Sequence, residues 1–161
     1  MKGNKGLYIF PATLLFGFGL YYFIRDWLTI ELYHEAAAII FVGLAFFFHA
    51  YFGKQYDSFL PAALFLGLGI HLHLVYEYQI DANVFGLIFL FLACGFFLRA
   101  FKTKSGSFYG WIFFIFALLQ LFPEKVLPFL QKIVPGSSNL SGIWPILLIL
   151  AGVYIFFFKR K

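Results

Sequence analysis

PATLLFGFG at residues 11–19 recurs fifty residues later as PAALFLGLG at residues 61–69. The ends of the two copies also match, because Phe46-Phe47 returns as Phe96-Phe97. Both copies are almost wholly apolar, and each is long enough for two helices that cross a bilayer. The sequence therefore predicts a duplicated membrane hairpin.

The composition agrees with this prediction. Of the 161 residues, 63% are hydrophobic, 12% are charged and 26 are phenylalanine. A soluble domain of this length could not cover so much apolar surface with so few charges. The apolar blocks lack the strict alternation of barrel strands, so the predicted fold class is all-α. Six transmembrane helices are expected, at about residues 7–24, 36–52, 59–76, 83–101, 106–122 and 141–158.

A third, weaker copy completes the chain. Phe108-Tyr109-Gly110 stands 49 residues after Phe59-Leu60-Pro61. The predicted architecture is a single membrane domain over residues 1–161, built as three pseudo-repeated hairpins in parallel topology. Their bounds are 7–53, 57–102 and 105–158.

The placement of charge predicts the orientation. The two termini and the loops around Lys54 and Lys102 carry nine of the twelve Lys and Arg residues. The opposite side carries six of the seven Asp and Glu residues. By the positive-inside rule, both termini are cytoplasmic in a multi-pass plasma-membrane protein. The net charge of +5 is then explained by the Lys and Arg residues on the cytoplasmic side of the membrane, and no nucleic-acid partner is expected. The expected partners are the lipid bilayer and either other membrane proteins or a second copy of the chain.

Small residues lie one helical turn apart in both copies. Thr13 and Gly17 share a face of the first helix, and Ala63 and Gly67 share the equivalent face of the third. Such faces let helices approach closely, which drives helix association in lipid. The repeated glycines could instead line a ligand path, but the pattern favours helix packing.

The long loop at residues 123–140 has two interpretations. Its apolar residues recur at helix-like spacing, which is typical of a short helix in the outer interface, interrupted near Pro128. An irregular loop that dips apolar side chains into the headgroups explains the same pattern nearly as well.

Two histidines lie deep in the third predicted span. His71 and His73 are about 200° apart on a helix, so they face different directions. His73 and Glu77 are four residues apart and could form a hydrogen-bonded pair near the outer mouth. Ionisable groups at such depth suggest a transport site.

The same histidines also have a structural interpretation. Their equivalents in the first copy are Tyr21 and Phe23, so the duplicated scaffold does not require histidine. A neutral histidine that bonds to a neighbouring helix would then be sufficient. A weak metal or proton site together with the preceding outer loop, residues 31–35, is the alternative.

The sequence offers no convergent catalytic set. No carboxylate lies within a predicted span, and no metalloprotease, nucleophile-elbow or phosphate-loop motif occurs. Cys94 is the only cysteine, so an intramolecular disulfide and a cysteine metal cluster are excluded; we expect it in the core. The chain is therefore predicted not to be an enzyme and to need no cofactor or metal.

Three predicted helices begin with an aromatic or leucine residue and a proline, and continue through Leu and Ile to a glycine: Phe10-Pro11 through Gly19, Leu60-Pro61 through Gly69, and Trp144-Pro145 through Gly152. These proline-led helices resemble the LiaI–LiaF-like transmembrane region of small bacterial envelope proteins. The resemblance implies a bacterial protein linked to the sensing of cell-envelope stress, with no catalytic residues to transfer. This chain differs in having six predicted spans and no soluble tail.

Two functions are therefore expected from the sequence. The first is a non-catalytic multi-pass membrane protein that acts through helix–helix contacts in the envelope-stress response. The alternative is a small transporter or channel that uses His71, His73 and Glu77.

Overall fold

The computed structural model describes residues 5–28, 34–80, 82–126, 149–150 and 152–153. The chain forms five long helices in these stretches: α1 Lys5–Leu28, α2 His34–Phe52, α3 Phe59–Tyr78, α4 Val84–Thr103 and α5 Ser107–Leu121. A 3₁₀ turn, Tyr56–Ser58, leads into α3. Residues 149–150 and 152–153 are also helical. No strand occurs among the described residues, so the all-α prediction is confirmed.

The helices differ from the predicted spans mainly at their ends. α1 extends past both ends of the expected 7–24, and α3 continues two residues beyond the expected 59–76. Most of the predicted sixth span, 141–158, and most of the loop at 123–140 lie outside the described residues.

Three helices within the described part of the chain are long and apolar enough to cross a membrane. They occupy Glu35–Phe52, Tyr56–Tyr78 and Val84–Thr103. The apolar stretches Tyr8–Phe23 and Ser107–Leu121 are shorter. At about 1.5 Å per residue, a helix of about 20 residues matches a hydrocarbon core of about 30 Å. These three helices indicate association with a membrane.

Consecutive helices of residues 1–121 pack antiparallel in a row. Among the described helices, each packs extensively only against its neighbours in sequence. The ring of Phe47 in α2 lies 5.7 Å from that of Phe59 in α3. Further along, Gly43 of α2 meets Leu66 of α3, so residue numbers fall on one helix as they rise on the other. An inner helix of this row is therefore covered on two sides by its neighbours in sequence.

Small residues fill the seams of this row. Seven of the ten buried apolar residues among those described are alanines: Ala36, Ala37, Ala45, Ala50, Ala62, Ala93 and Ala117. Large side chains such as Phe16 and Phe85, both 71% exposed, point outward. Because lipid is as apolar as a protein core, the association of helices in a membrane depends on close packing rather than on the burial of apolar surface. Cys94 is exposed on α4, so the expectation that it lies in the core was wrong.

Backbone approaches backbone most closely where α3 meets its two neighbours. A Cβ atom on Gly43 would lie 2.6 Å from the backbone nitrogen of Leu66. On the other side of α3, a Cβ atom on Gly95 would lie 2.9 Å from the Cα atom of Leu60. Each glycine therefore allows a helix separation that any larger residue would prevent.

Gly17 and Gly67, the two glycines expected at helix contacts from the sequence, each face an aromatic ring of the next helix. A Cβ atom on Gly17 would lie 2.8 Å from the ring of Phe41, and one on Gly67 would meet the ring of Phe91. Phe41 and Phe91 are themselves fifty residues apart. The two copies therefore make the same glycine–phenylalanine contact at equivalent positions.

The other two residues of the expected packing faces have different neighbours. The Thr13 hydroxyl donates to the Ile9 carbonyl of its own helix at 2.8 Å. The Cβ atom of Ala63 would lie 3.4 Å from one on Gly95, which places Ala63 at the seam between α3 and α4. Thr13 thus satisfies its polar group within α1.

Polar contacts join the loop after α2 to α4. Arg99 donates to Asp57 with an Nε–Oδ1 distance of 2.6 Å, and His49 Nδ1 lies 3.1 Å from Ser58 Oγ. Lys54 and Lys104 both adopt left-handed backbone angles, with φ of 56° and 57°, where α2 and α4 end. We call this end of the row the loop end. The opposite end, at residues 79–83, is the turn end.

Candidate functional site

A cleft of about 440 Å³ opens at the turn end of the row. Ile39 of α2, Leu68 and Leu72 of α3, and Val84 of α4 line it together with the intervening turn. His71 also lines this space, which we call the His71 cleft. The walls are therefore apolar apart from a few polar groups, which is the usual composition of a small-molecule site.

His71 is the buried polar group of the cleft. The residue is only 8% exposed, and it makes no hydrogen bond to another described residue. It lies seven residues before the end of α3, which is about 10 Å of helix. Since no described residue bonds to it, the imidazole is available to hydrogen-bond a ligand in this apolar space.

Gln79 is the second polar residue of the lining and closes α3. It has a left-handed φ of 52°, and its backbone N–H donates to the Val75 carbonyl at the helix end. Its side-chain Nε2 donates to the Tyr76 carbonyl at 3.2 Å. Gln79 therefore adds one side-chain amide to the lining of the cleft.

The three predicted polar residues do not converge on one point. His73 is absent from the lining of the cleft, and its Nδ1 atom is buried without a hydrogen-bond partner. Glu77 is exposed, and no hydrogen bond joins it to His73 in the described part of the chain. His71 and His73 therefore occupy different surroundings, as their angular separation on a helix requires.

The described lining of the cleft offers groups that can bind a ligand non-covalently. Among the described residues, no carboxylate, hydroxyl or thiol lines the cleft beside the imidazole. No group of three or more His, Cys, Asp or Glu side chains capable of holding a metal ion occurs within the described residues. The outer loop of the weak metal-site hypothesis, residues 31–35, lies largely outside them. One imidazole and one amide beside apolar walls suit a non-covalent ligand.

The sequence located His71 but not the rest of the lining. A histidine inside an apolar run stands out by its chemistry. Ile39 and Leu68 look like any other apolar residues, and only the packing of α2 against α3 brings them together. No family model, no curated protein and no solved structure matches this chain.

Proposed function

We propose that the chain is a six-span plasma-membrane protein made of three pseudo-repeated hairpins, with both termini in the cytoplasm. The antiparallel packing of consecutive helices supports this topology. The equivalent contacts of Gly17 with Phe41 and of Gly67 with Phe91 support the repeat. The left-handed Lys54 and Lys104 support it too, because two copies of one unit end their return helices alike.

Cysteine labelling tests the topology. In a Cys94→Ser background, Gln55→Cys and Ser105→Cys place a thiol at the loop end, and Ile80→Cys places one at the turn end. With a membrane-impermeant maleimide on intact cells, we expect Ile80→Cys to react and the other two to react only after lysis. Reaction of Gln55→Cys in intact cells would refute the proposed orientation.

The proposed role is non-catalytic and works through helix contacts in the bacterial envelope-stress response. Its partners would be other membrane proteins or a second copy of the chain, within the bilayer. The observation that carries it is the set of seams built from alanine and glycine, with no convergent catalytic groups among the described residues. Resemblance to the LiaI–LiaF-like region supplies the physiological context.

A deletion strain tests this role. Challenge with wall-active antibiotics or bilayer-disrupting peptides should lower the survival of the strain and change the expression of its stress operons. A plasmid copy of the wild-type gene should restore both, which controls for effects on neighbouring genes. Unchanged survival together with unchanged operon expression would contradict the role.

A second candidate, a small transporter or channel, is favoured by one observation. The Nδ1 atom of His73 is buried without a hydrogen-bond partner, which is unusual inside an apolar helix. In that case, reconstituted protein would move protons, metal ions or a small solute across vesicles, and His73→Ala would abolish the flux. His49→Ala is the matched control at the loop end and should preserve it. Flux that survives His73→Ala would rule out the histidine mechanism.

A further inference from the structure

We propose that the His71 cleft binds a neutral single-chain lipid that carries a hydroxyl group. The inference rests on the proposed residence in a membrane. The hydrocarbon chain would lie along the apolar wall, and the hydroxyl group would bond to the imidazole of His71. Binding of this kind is non-covalent.

The size and walls of the cleft fit an apolar chain. A volume of about 440 Å³ falls within the range of about 300–1,000 Å³ that small-molecule sites usually have. Ile39, Leu68 and Leu72 present only hydrocarbon to this space. A lipid chain that fills it would restore the dispersion contacts which an unfilled gap beside these side chains forfeits.

His71 selects the polar end of the ligand. A neutral imidazole has one donor and one acceptor nitrogen, and a hydroxyl group can both donate and accept. The hydroxyl therefore satisfies His71 in either tautomer. No described lysine or arginine lines the cleft, and Glu77 follows on the same helix. A carboxylate or phosphate head would thus be desolvated with no Lys or Arg side chain of the lining to pair with it, which favours a neutral ligand.

The difference between the two copies explains why the space exists. The positions equivalent to Leu68, His71 and Leu72 carry Phe18, Tyr21 and Tyr22 in the first copy. There the rings of Phe18 and Tyr21 each lie 6.0 Å from the ring of Phe41. All three changes replace a larger side chain with a smaller one, so ring volume present in the first copy is missing from the second.

Photolabelling of the full chain in phosphatidylcholine vesicles tests the inference, with hexadecanol bearing a diazirine in its chain as the probe. We expect crosslinks concentrated on residues that line the His71 cleft. Unlabelled hexadecanol should suppress them, while hexadecane and palmitate should compete about fivefold less well, which corresponds to one hydrogen bond.

Two substitutions on α3 separate a site from general contact with lipid. Leu68→Phe restores the first-copy residue and should reduce crosslinking at the cleft to the background of the other helices. Ile70→Phe, at a position 51% exposed on the same helix, is the matched control and should leave it unchanged. His71→Leu should keep the crosslinks but equalise the competition by hexadecanol and hexadecane.

Crosslinks spread evenly over outward side chains such as Phe16 and Phe85, and unaffected by Leu68→Phe, would overturn the proposed site. Equal competition by hexadecane in the wild-type protein would overturn the role of the hydroxyl group. Failure of the membrane assignment gives a different result, because a chain outside the bilayer would acquire no crosslinks on any helix.

Discussion

Replacement of Gly43 by alanine is expected to destabilise the protein, although alanine is the better helix former by about 1 kcal/mol. The added Cβ atom would lie 2.6 Å from the backbone nitrogen of Leu66 and 2.8 Å from its Cγ atom. A backbone atom inside a helix cannot move aside alone, so α2 and α3 must separate. Overpacking of this kind costs about 1–3 kcal/mol. We expect a lower Tm in detergent, followed by the loss of helical circular dichroism.

Gly19→Ala is the matched control for this experiment. It also replaces a glycine inside a long apolar helix, but no described atom lies within 4 Å of the added Cβ atom. Its Tm should stay the same or rise, because only the helix propensity changes. Equal Tm values for Gly43→Ala and Gly19→Ala in the same detergent would show that the approach of α2 to α3 is not a determinant of stability.

The sequence predicted the helices because their physical cause is local. Runs of about 15–20 apolar residues without charge, and without the alternation of barrel strands, favour helices in a bilayer, since a helix satisfies every backbone group within its own segment. The helix ends were less well predicted. α3 ends at Tyr78 because Gln79 turns left-handed and its N–H bonds back to Val75. A left-handed backbone conformation cannot be predicted from the presence of a glutamine, because this residue type does not favour it.

The seams were predicted only in part. Spacing selected Gly17 and Gly67, and both contact a phenylalanine ring on the next helix. The closer backbone contacts at Gly43 and Gly95 were not identified, because a glycine at a seam and a glycine facing lipid look alike in an apolar run. Which face of a helix meets its neighbour depends on side chains that are distant in sequence. A single sequence cannot supply that information.

In the candidate site too, some features could be predicted from the sequence and others depend on tertiary packing. His71 was found because an ionisable group deep in a span is costly and therefore conspicuous. The pairing of His73 with Glu77 was inferred from helical spacing, but spacing only makes such a bond geometrically possible. In the structure, Glu77 is exposed and makes no bond to His73 in the described chain. The apolar walls of the His71 cleft come from three helices, so only tertiary packing defines them.

A second large effect is expected at Phe59, the largest fully buried side chain of the described residues, at 2% exposed. Its ring lies 5.7 Å from that of Phe47 in a T-shaped pair and stacks on Tyr56 at 6.4 Å. Its carbonyl oxygen would lie 3.0 Å from a Cβ atom on Gly95, so the same residue reaches α4. Phe59→Ala therefore leaves a cavity beside the rings of Phe47 and Tyr56 at the loop end. We expect a loss of about 3 kcal/mol in the free energy of unfolding.

Unfolding of the purified protein in mixed micelles by rising fractions of dodecyl sulfate would measure this loss. Phe85→Ala, at a position 71% exposed, removes an identical ring and should change the free energy by less than about 0.5 kcal/mol. The comparison is informative because lipid and protein interior are equally apolar, so the hydrophobic effect contributes little to the difference between the two variants. What remains is the packing of Phe59 against its neighbours. Similar losses for both variants would mean that these helices are held together by something other than close contact at their seams.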